Sequence, residues 1–145
     1  MKFLLSVALA ASLAATVSAS TAPSADEAGV REALNNYLQG QATGNGDYYR
    51  KAFYPEAKLL FVRDGKLAAV TSEEFASRAT GKPRPNEAQF KRRIDMVDIT
   101  GNAAVAKIVM TEPEADIVDY MTLLKIDGSW RIINKSFHVE PKPRG

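Results

Sequence analysis

The sequence predicts an α+β fold in which N-terminal helices pack on one face of a strongly curved antiparallel sheet. Apolar residues follow a helical repeat early in the chain, whereas the chain from Phe90 onward reads as successive strands separated by tight turns. One further hairpin interrupts the helical half. The 145 residues suit one domain. A curved sheet crossed by a long helix would form a cone with a central pocket.

The N-terminus has the pattern of a secretory signal. Lys2 supplies a positive charge, residues 3–17 are mostly apolar, and Val17-Ser18-Ala19 is a cleavable small-residue motif. We predict a signal at residues 1–19, with Ala22 as a second cleavage site. The alternative is an uncleaved anchor, but an apolar run of about 15 residues is shorter than the roughly 20 that span a bilayer. The predicted location is a bacterial periplasm or the medium, with no membrane attachment after cleavage.

The first helix follows a disordered lead-in predicted at residues 20–24. Ser24 and Glu27 form the S-x-x-E pattern of a capping box. Gly44-Asn45-Gly46 ends the helix. Its apolar stripe consists of Val30, Leu34, Tyr37 and Leu38.

Three shorter predicted elements depend on local signals. Asp47 is placed to cap a second helix, and Pro55 stops it because proline removes a backbone donor. Asp64-Gly65 is a strong hairpin turn, and Thr71 with Glu74 forms a second capping box. The predicted ranges are a helix over 48–53, strands over 58–62 and 67–70, and a helix from Ser72 to about Thr80.

The second half of the chain predicts a four-stranded antiparallel meander. A proline-containing loop over 81–89 precedes it. Gly101-Asn102 and Asp127-Gly128 are tight turns, and Glu112–Glu114 forms the remaining connection. The predicted strands cover 94–100, 103–111, 115–126 and 129–139. The domain is therefore expected over residues 25–140, followed by a tail at 141–145.

Composition excludes several classes of function. The chain has no cysteine, so disulfides, cysteine nucleophiles and thiolate metal sites are absent. A single histidine gives no histidine pair for a metal, and no cofactor motif is present. The net charge of +2 is too small to indicate a nucleic-acid partner. We therefore expect no metal, no cofactor and no nucleic acid.

The whole pattern resembles the nuclear transport factor 2-like superfamily, and more narrowly its bacterial branch labelled "putative lumazine-binding". This resemblance implies the cone fold, a pocket for a small apolar or aromatic ligand, and a homodimer. Apolar residues on both faces of the predicted strands also favour a homodimer, because an uncovered sheet would leave an apolar patch. The segments that carry the resemblance are Tyr37–Gly40, Ala52–Ala57, Val62–Lys66, Val97–Lys107, Asp119–Lys125 and Trp130–His138.

Two residues are candidates for catalysis. His138 is the only imidazole, and a strand-end histidine can act as a base or simply meet solvent. Asp95 is the second candidate, and alternation places it opposite Ile94 and Met96. Relatives of this fold include ketosteroid isomerase, with an Asp base, and scytalone dehydratase, with paired histidines. No residue here matches either motif, so no catalytic role is carried over.

Seven residues are predicted to line the ligand pocket: Tyr37, Tyr54, Phe61, Met110, Tyr120, Asn134 and His138. Tyr120 is predicted to point inward and Asp119 outward, because strand alternation puts Tyr120 on the same face as Val118, Thr122, Leu124 and Ile126. Alternation in the last strand groups Asn134 with His138 and Lys135 with Phe137, and which group faces the pocket stays open. The basic stretch Lys82, Arg84 and Lys91–Arg93 is assigned to a solvated loop rather than to an anionic ligand.

Three functions are compatible with this sequence. The first is an exported small-molecule-binding protein with no chemistry of its own. The second is an acid–base enzyme of the isomerase, cyclase or dehydratase type acting on a small apolar substrate. The third is a purely structural dimeric subunit, for which the cone would be filled by side chains.

Overall fold

A computed structural model describes residues 23–143 of the chain. The predicted signal at 1–19, residues 20–22 of the lead-in and the last two residues of the tail lie outside these residues. None of the helices described is both long enough and apolar enough to cross a membrane. The helices are α1 (Ala25–Thr43), α2 (Gly46–Ala52) and α3 (Ser72–Ser77), and the strands are β1 (Phe53–Arg63), β2 (Lys66–Thr71), β3 (Lys91–Thr100), β4 (Ala103–Thr111), β5 (Ala115–Ile126) and β6 (Ser129–Pro141).

The six strands form one curved, unclosed sheet in the order β2-β1-β6-β5-β4-β3. Strands β3 to β6 form the predicted antiparallel meander, and β1 pairs with β2 as the predicted hairpin. The predicted α+β architecture is confirmed. The sequence did not predict that β1 would pair with β6 in parallel and so bring the first hairpin beside the last strand.

The helix boundaries follow their caps. The Ser24 hydroxyl accepts a hydrogen bond from the Glu27 amide as predicted, but the Glu27 carboxylate pairs with Arg31 instead of reaching back. Asn45, rather than the predicted Asp47, caps α2. The capping box of α3 is confirmed, although that helix ends at Ser77, before Thr80.

Several strands are longer than predicted. Strand β1 begins at Phe53 instead of residue 58, and Pro55 lies where its register with β6 is irregular, as expected for a residue that cannot donate to a ladder. Strand β6 continues to Pro141, so the predicted tail begins inside a strand. The amide of Lys142 then donates to the carbonyl of Glu114.

A β-bulge in β6 decides which side chains face the helices. Opposite β5, Leu123 pairs with Ile132 and Thr122 pairs with Asn134, so Ile133 is an extra residue. Such an insertion reverses the alternation beyond it. Ile132 and Lys135 are therefore both buried on the helix-covered inner face of the sheet, and an uninterrupted alternation along β6 is wrong.

A second bulge, at Asp95 in β3, has the same effect. Ile94 pairs with Ile108, whereas Met96 pairs with Lys107. Ile94 therefore packs against the core, and Met96 is 41% exposed. The prediction that Ile94 and Met96 share a face is wrong, because strict alternation does not survive the extra residue.

In β5 the predicted parity is also wrong. Asp119, Met121 and Leu123 are buried on the inner face, whereas Tyr120 is 54% exposed on the outer face. Both faces of β5 carry apolar residues, so hydrophobicity alone could not select between them. Burial of Asp119 places a charged group inside the cone.

Candidate functional site

The cone contains a cavity of about 440 Å³ between α1, α3 and the inner face of the sheet. This volume lies within the range of small-molecule sites. The mouth is bordered by exposed side chains at the end of β1, in β6 and in the segment after α3. Apolar side chains form most of the wall: Leu59, Phe61, Val70, Phe75, Met110 and Ile117.

Three ionisable side chains meet at the inner end of this cavity. The hydroxyl of Tyr37, in α1, donates a hydrogen bond to Asp119 Oδ2 at 2.7 Å. Lys135 Nζ donates to Asp119 Oδ1 and to the Tyr37 hydroxyl, both at 3.0 Å. Tyr37 and Lys135 line the cavity, and Asp119 lies behind them, fully buried. Together with Gln41 these residues form the buried polar cluster.

The register of the sheet produces this meeting. Asp119 pairs with Phe137, and Met121 pairs with Lys135. Asp119 and Lys135 are thus diagonal neighbours on one face, within reach of a long side chain. Without the bulge at Ile133, Lys135 would lie on the other face.

A hydrogen-bonded path connects the buried polar cluster with the mouth of the cavity. Gln41 Nε2 donates to the Tyr37 hydroxyl at 3.0 Å. Arg84 donates to Gln41 Oε1 at 2.8 Å and to Glu112 Oε1 at 2.9 Å. A solvent-facing guanidinium is therefore linked to the interior through two buried side chains.

Hydrogen-bonding capacity identifies the group that remains for a ligand. The Tyr37 hydroxyl gives one hydrogen bond and accepts two, which is its full capacity. An ammonium has three donors, and two of those on Lys135 are used within the described residues. The third is available to an acceptor in the cavity.

Burial and neighbouring charge act in opposite directions on Lys135. Desolvation lowers the pKa of Lys135, and the Asp119 carboxylate partly offsets this effect. Burial, followed by the charge of Asp119, raises the pKa of Tyr37 well above its usual value. Tyr37 therefore stays protonated at neutral pH. The Phe137 ring also lies beside the ammonium, with its centroid 4.4 Å from Lys135 Nζ.

Three arginines border the cavity mouth, Arg63, Arg78 and Arg84, and the first two give it a positive charge because Arg84 is paired with Glu112. Arg84 lies over the Phe90 ring, and Arg63 lies over the Phe61 ring. The arginines are exposed, so an anionic substituent of a ligand could reach them without the cost of burying a free charge.

The structure brings three of the seven predicted pocket residues into the cavity wall: Tyr37, Phe61 and Met110. The other four do not line this cavity. Tyr54 is 36% exposed, and Tyr120 lies on the outer face. Asn134 pairs with Thr122, which places it on the same outer face, where it is half-buried. Phe137 lines the cavity in place of His138.

The two candidates for catalysis lie in solvent. His138 is paired with Glu140 at 3.1 Å, and both side chains are about three-quarters exposed (73% and 74%). Asp95 accepts from Lys107 and Arg93, and these hydrogen bonds, that of Lys107 first, lower the pKa of Asp95. Neither residue has the pocket-facing position that acid–base chemistry in the cone requires.

The sequence reasoning missed Lys135, Gln41 and Arg84. A signal for the first existed, because an acid with apolar neighbours along a strand needs a partner of opposite charge if it is buried. Asp119 in β5 and Lys135 in β6 are such a pair. Of the basic stretch, Arg84 reaches the cavity mouth, whereas Arg92 pairs with Glu87.

Within residues 23–143, no three acidic or histidine side chains converge as a metal site. The cavity instead presents apolar walls, one inward-facing lysine and a positive mouth. This arrangement can hold an apolar molecule, donate a hydrogen bond from Lys135 to its oxygen atom and neutralise an anionic end.

Comparison with known proteins finds a family model that matches most of the chain. The model described as "Putative lumazine-binding" matches residues 25–138. Among curated proteins, the chain is similar to a protein named Aldolase FrzH, from Cladobotryum sp. The two are 25% identical over 108 residues, which cover 73% of this chain and 85% of that protein.

Two solved structures support the same fold. The chain is 26% identical to an NTF2-like protein of unknown function from Shewanella baltica OS155, with a TM-score of 0.74, over 84% of this chain and 99% of that one. It is 29% identical to an NTF2-like protein of unknown function from Methylobacillus flagellatus KT. That match has a TM-score of 0.68 and covers 82% of this chain and 95% of that one.

Proposed function

The chain belongs to the "Putative lumazine-binding" family of the NTF2-like fold, and from this premise we propose that it binds a small, mostly apolar molecule in the cone. The observation that carries the proposal is the cavity of about 440 Å³, with apolar walls and one lysine donor at its inner end. Binding sites of this kind combine an apolar wall with a few placed polar groups. A wholly structural role is disfavoured because the cone is not filled.

The ligand class follows from these polar groups. Lys135 calls for a hydrogen-bond acceptor such as a carbonyl oxygen, and the arginines at the mouth favour an anionic substituent. The apolar wall, with Phe61 and Phe75, favours a flat ring. A flat ring that carries carbonyl groups provides both the acceptor for Lys135 and the shape that the apolar wall favours. Lumazine, which the family description names, is such a ring.

A matched pair of variants on β2 tests this binding. Val70 lines the cavity, whereas Leu67 is 75% exposed on the same strand. Val70→Trp should fill the cavity, and Leu67→Trp should leave it open. Native mass spectra of protein from its own host should show a reproducible small-molecule mass on wild type and on the Leu67 variant. Titration with lumazine provides a defined probe. Equal ligand loading of the two variants would contradict the cone as the binding site.

We also propose that the protein is exported and cleaved after Ala19. The support is the charged, apolar and small-residue order of the N-terminus. The intact mass of protein recovered from the host envelope tests this proposal. A mass that includes residues 1–19 would contradict cleavage at that site.

A homodimer through the outer face of the sheet is proposed as well. Met96, Val105 and Tyr120 are 41%, 45% and 54% exposed, and their registers place them on adjacent rows of that face. Nearby, Asn134 Oδ1 is buried without a hydrogen-bond partner among the described residues. Sedimentation should show a dimer that Tyr120→Lys weakens and Leu67→Lys does not. A wild-type monomer would contradict the proposal.

A second candidate function is acid–base chemistry on a carbonyl compound. Lys135, Asp119 and Tyr37 meet beside an apolar cavity, and the relative from Cladobotryum is named an aldolase. The assay is α-proton exchange of a small ketone, such as cyclohexanone, in D₂O, followed by NMR. Wild type should accelerate the exchange and Val70→Trp should not. Identical rates for both proteins would argue against this function.

A further inference from the structure

We propose that Lys135 is a Schiff-base-forming amine that condenses with an aldehyde or ketone bound in the cone. The inference rests on the proposed binding function and deepens it, because it names both the reacting atom and the functional group of the ligand. It is carried by a buried lysine that lines the cavity and whose Nζ lies 3.0 Å from a buried carboxylate.

The geometry singles out this lysine. Lys135 is 3% exposed and lines the cavity, so a carbonyl compound would meet its Nζ inside the apolar wall. Lys107 and Lys125, by contrast, have side chains that are 32% and 39% exposed and pair with carboxylates at the surface. Exposed amines remain hydrated ammonium ions near neutral pH.

The cluster contains the proton acceptor that the reaction needs. An ammonium cannot attack a carbonyl until it loses a proton, and Asp119 Oδ1 lies 3.0 Å from Nζ. Burial lowers the pKa of Lys135, which favours transfer of that proton. The Tyr37 hydroxyl, 3.0 Å from Nζ, holds the amine in place through the transfer.

The proposed step balances without any oxidant or reductant. After Asp119 takes one proton from the ammonium, the Nζ lone pair forms a bond to the carbonyl carbon while the C=O π bond breaks, and one of the two protons on nitrogen moves to the oxygen. The hydroxyl of this carbinolamine then leaves as water with the proton that Asp119 returns, and the nitrogen lone pair forms the C=N bond. Asp119 is again a carboxylate, and the net change is ammonium plus carbonyl to protonated imine plus water.

The positive mouth defines the substrate further. A carbonyl carbon at Nζ would leave the remainder of the molecule directed along the apolar wall toward Arg63, Arg78 and Arg84. The substrate class is therefore an apolar aldehyde or ketone with an anionic group at the far end. Benzaldehyde and 4-carboxybenzaldehyde form a neutral and an anionic pair of probes of similar size.

The test is reductive trapping followed by peptide mass mapping. Wild type is incubated with each aldehyde and cyanoborohydride, which reduces an imine to a stable amine, and the modified peptide is identified. Because burial lowers the pKa of Lys135 and the cavity holds the aldehyde beside it, we expect Lys135 to carry most of the adduct, with each exposed lysine carrying only a minor share. The anionic aldehyde should react faster than the neutral one.

Two variants make the test specific. Lys135→Arg keeps the positive charge beside Asp119 and should abolish this adduct, and Val70→Trp should suppress it while the surface background is unchanged. Adduct spread evenly over the lysines, or Lys135 adduct that persists in the filled cavity, would overturn the inference.

Failure of the inference can be distinguished from failure of binding. Native mass spectra without reductant report non-covalent occupancy by the same aldehydes. Occupancy without a Lys135 adduct would overturn the Schiff base and leave binding in place. Neither occupancy nor adduct would overturn both.

Discussion

Replacing Lys135 with methionine should destabilise the protein strongly, because it leaves Asp119 buried without a counter-charge. Lys135 is 3% exposed and Asp119 is fully buried, and their N–O distance is 3.0 Å. Removing one partner of a buried ion pair typically costs about 3–5 kcal/mol. That loss is a large part of the roughly 5–15 kcal/mol by which a domain is stable.

The double variant Lys135→Met with Asp119→Leu separates two explanations. If the cost of the single change arises from the isolated charge, removing the second charge should recover most of it. Replacing a whole buried pair by apolar residues is often neutral or stabilising by about 1–4 kcal/mol. Tyr37 would keep its hydrogen bond from Gln41 but lose the two that it makes with Asp119 and Lys135, so we expect the double variant within about 1–3 kcal/mol of wild type.

Urea unfolding of the wild type, both single variants and the double variant measures these free energies, with unchanged m-values as the condition for comparison. Lys125→Met is the control at the exposed ion pair with Asp26 and should change stability by less than about 1 kcal/mol. A Lys135→Met protein as stable as this control, or single effects that simply add in the double variant, would refute the argument that the pair is buried and coupled.

Three further predictions concern Lys135, Glu73 and Gly40. The pKa of Lys135 in the folded protein is below its usual 10.5, so the folded state binds fewer protons than the unfolded state. The free energy of unfolding should therefore rise with pH up to about 10.5. Urea unfolding should show this slope in wild type and not in the double variant. Hydrogen bonds from Arg50 and Ser77 lower the pKa of Glu73 from 4.5 to about 2. The small contribution of Glu73 to stability should therefore be lost as the pH falls from 4.5 to about 2. Carboxyl NMR should show that the pKa of Glu73 returns toward 4.5 in Arg50→Ala. A Cβ at Gly40 would lie 2.4 Å from Tyr49 Cε1, so Gly40→Ala should cost about 1–3 kcal/mol of stability by overpacking. Thermal unfolding should show this loss in Gly40→Ala and not in the control Asn35→Ala, where the side chain is exposed.

The fold was predictable because each element carries its own local signal. The stripe of Val30, Leu34 and Tyr37 specified a helix with one buried face. The turns at Asp64-Gly65 and Asp127-Gly128 adopt the positive φ angles that these residue pairs favour. Such signals act over a few residues, so they can be read from a single sequence.

The candidate site was predictable only in part. Tyr37, Phe61 and Met110 line the cavity, since large apolar residues of the core are also its wall. Tyr120 and Asn134 do not, because their strands have apolar residues on both faces and alternation had no buried face to follow. Exposure of His138 was one of the two readings that the sequence left open.

The sequence by itself therefore determined the element order, the turns and the class of fold through short-range propensity, capping and periodicity. The tertiary structure alone decided which residues meet. The bulge at Ile133 and the parallel pairing of β1 with β6 depend on contacts between distant parts of the chain. One inserted residue carries Lys135 to the inner face and beside Asp119, and the physical reason is that strand alternation has a period of two, so a shift of one residue exchanges the two faces.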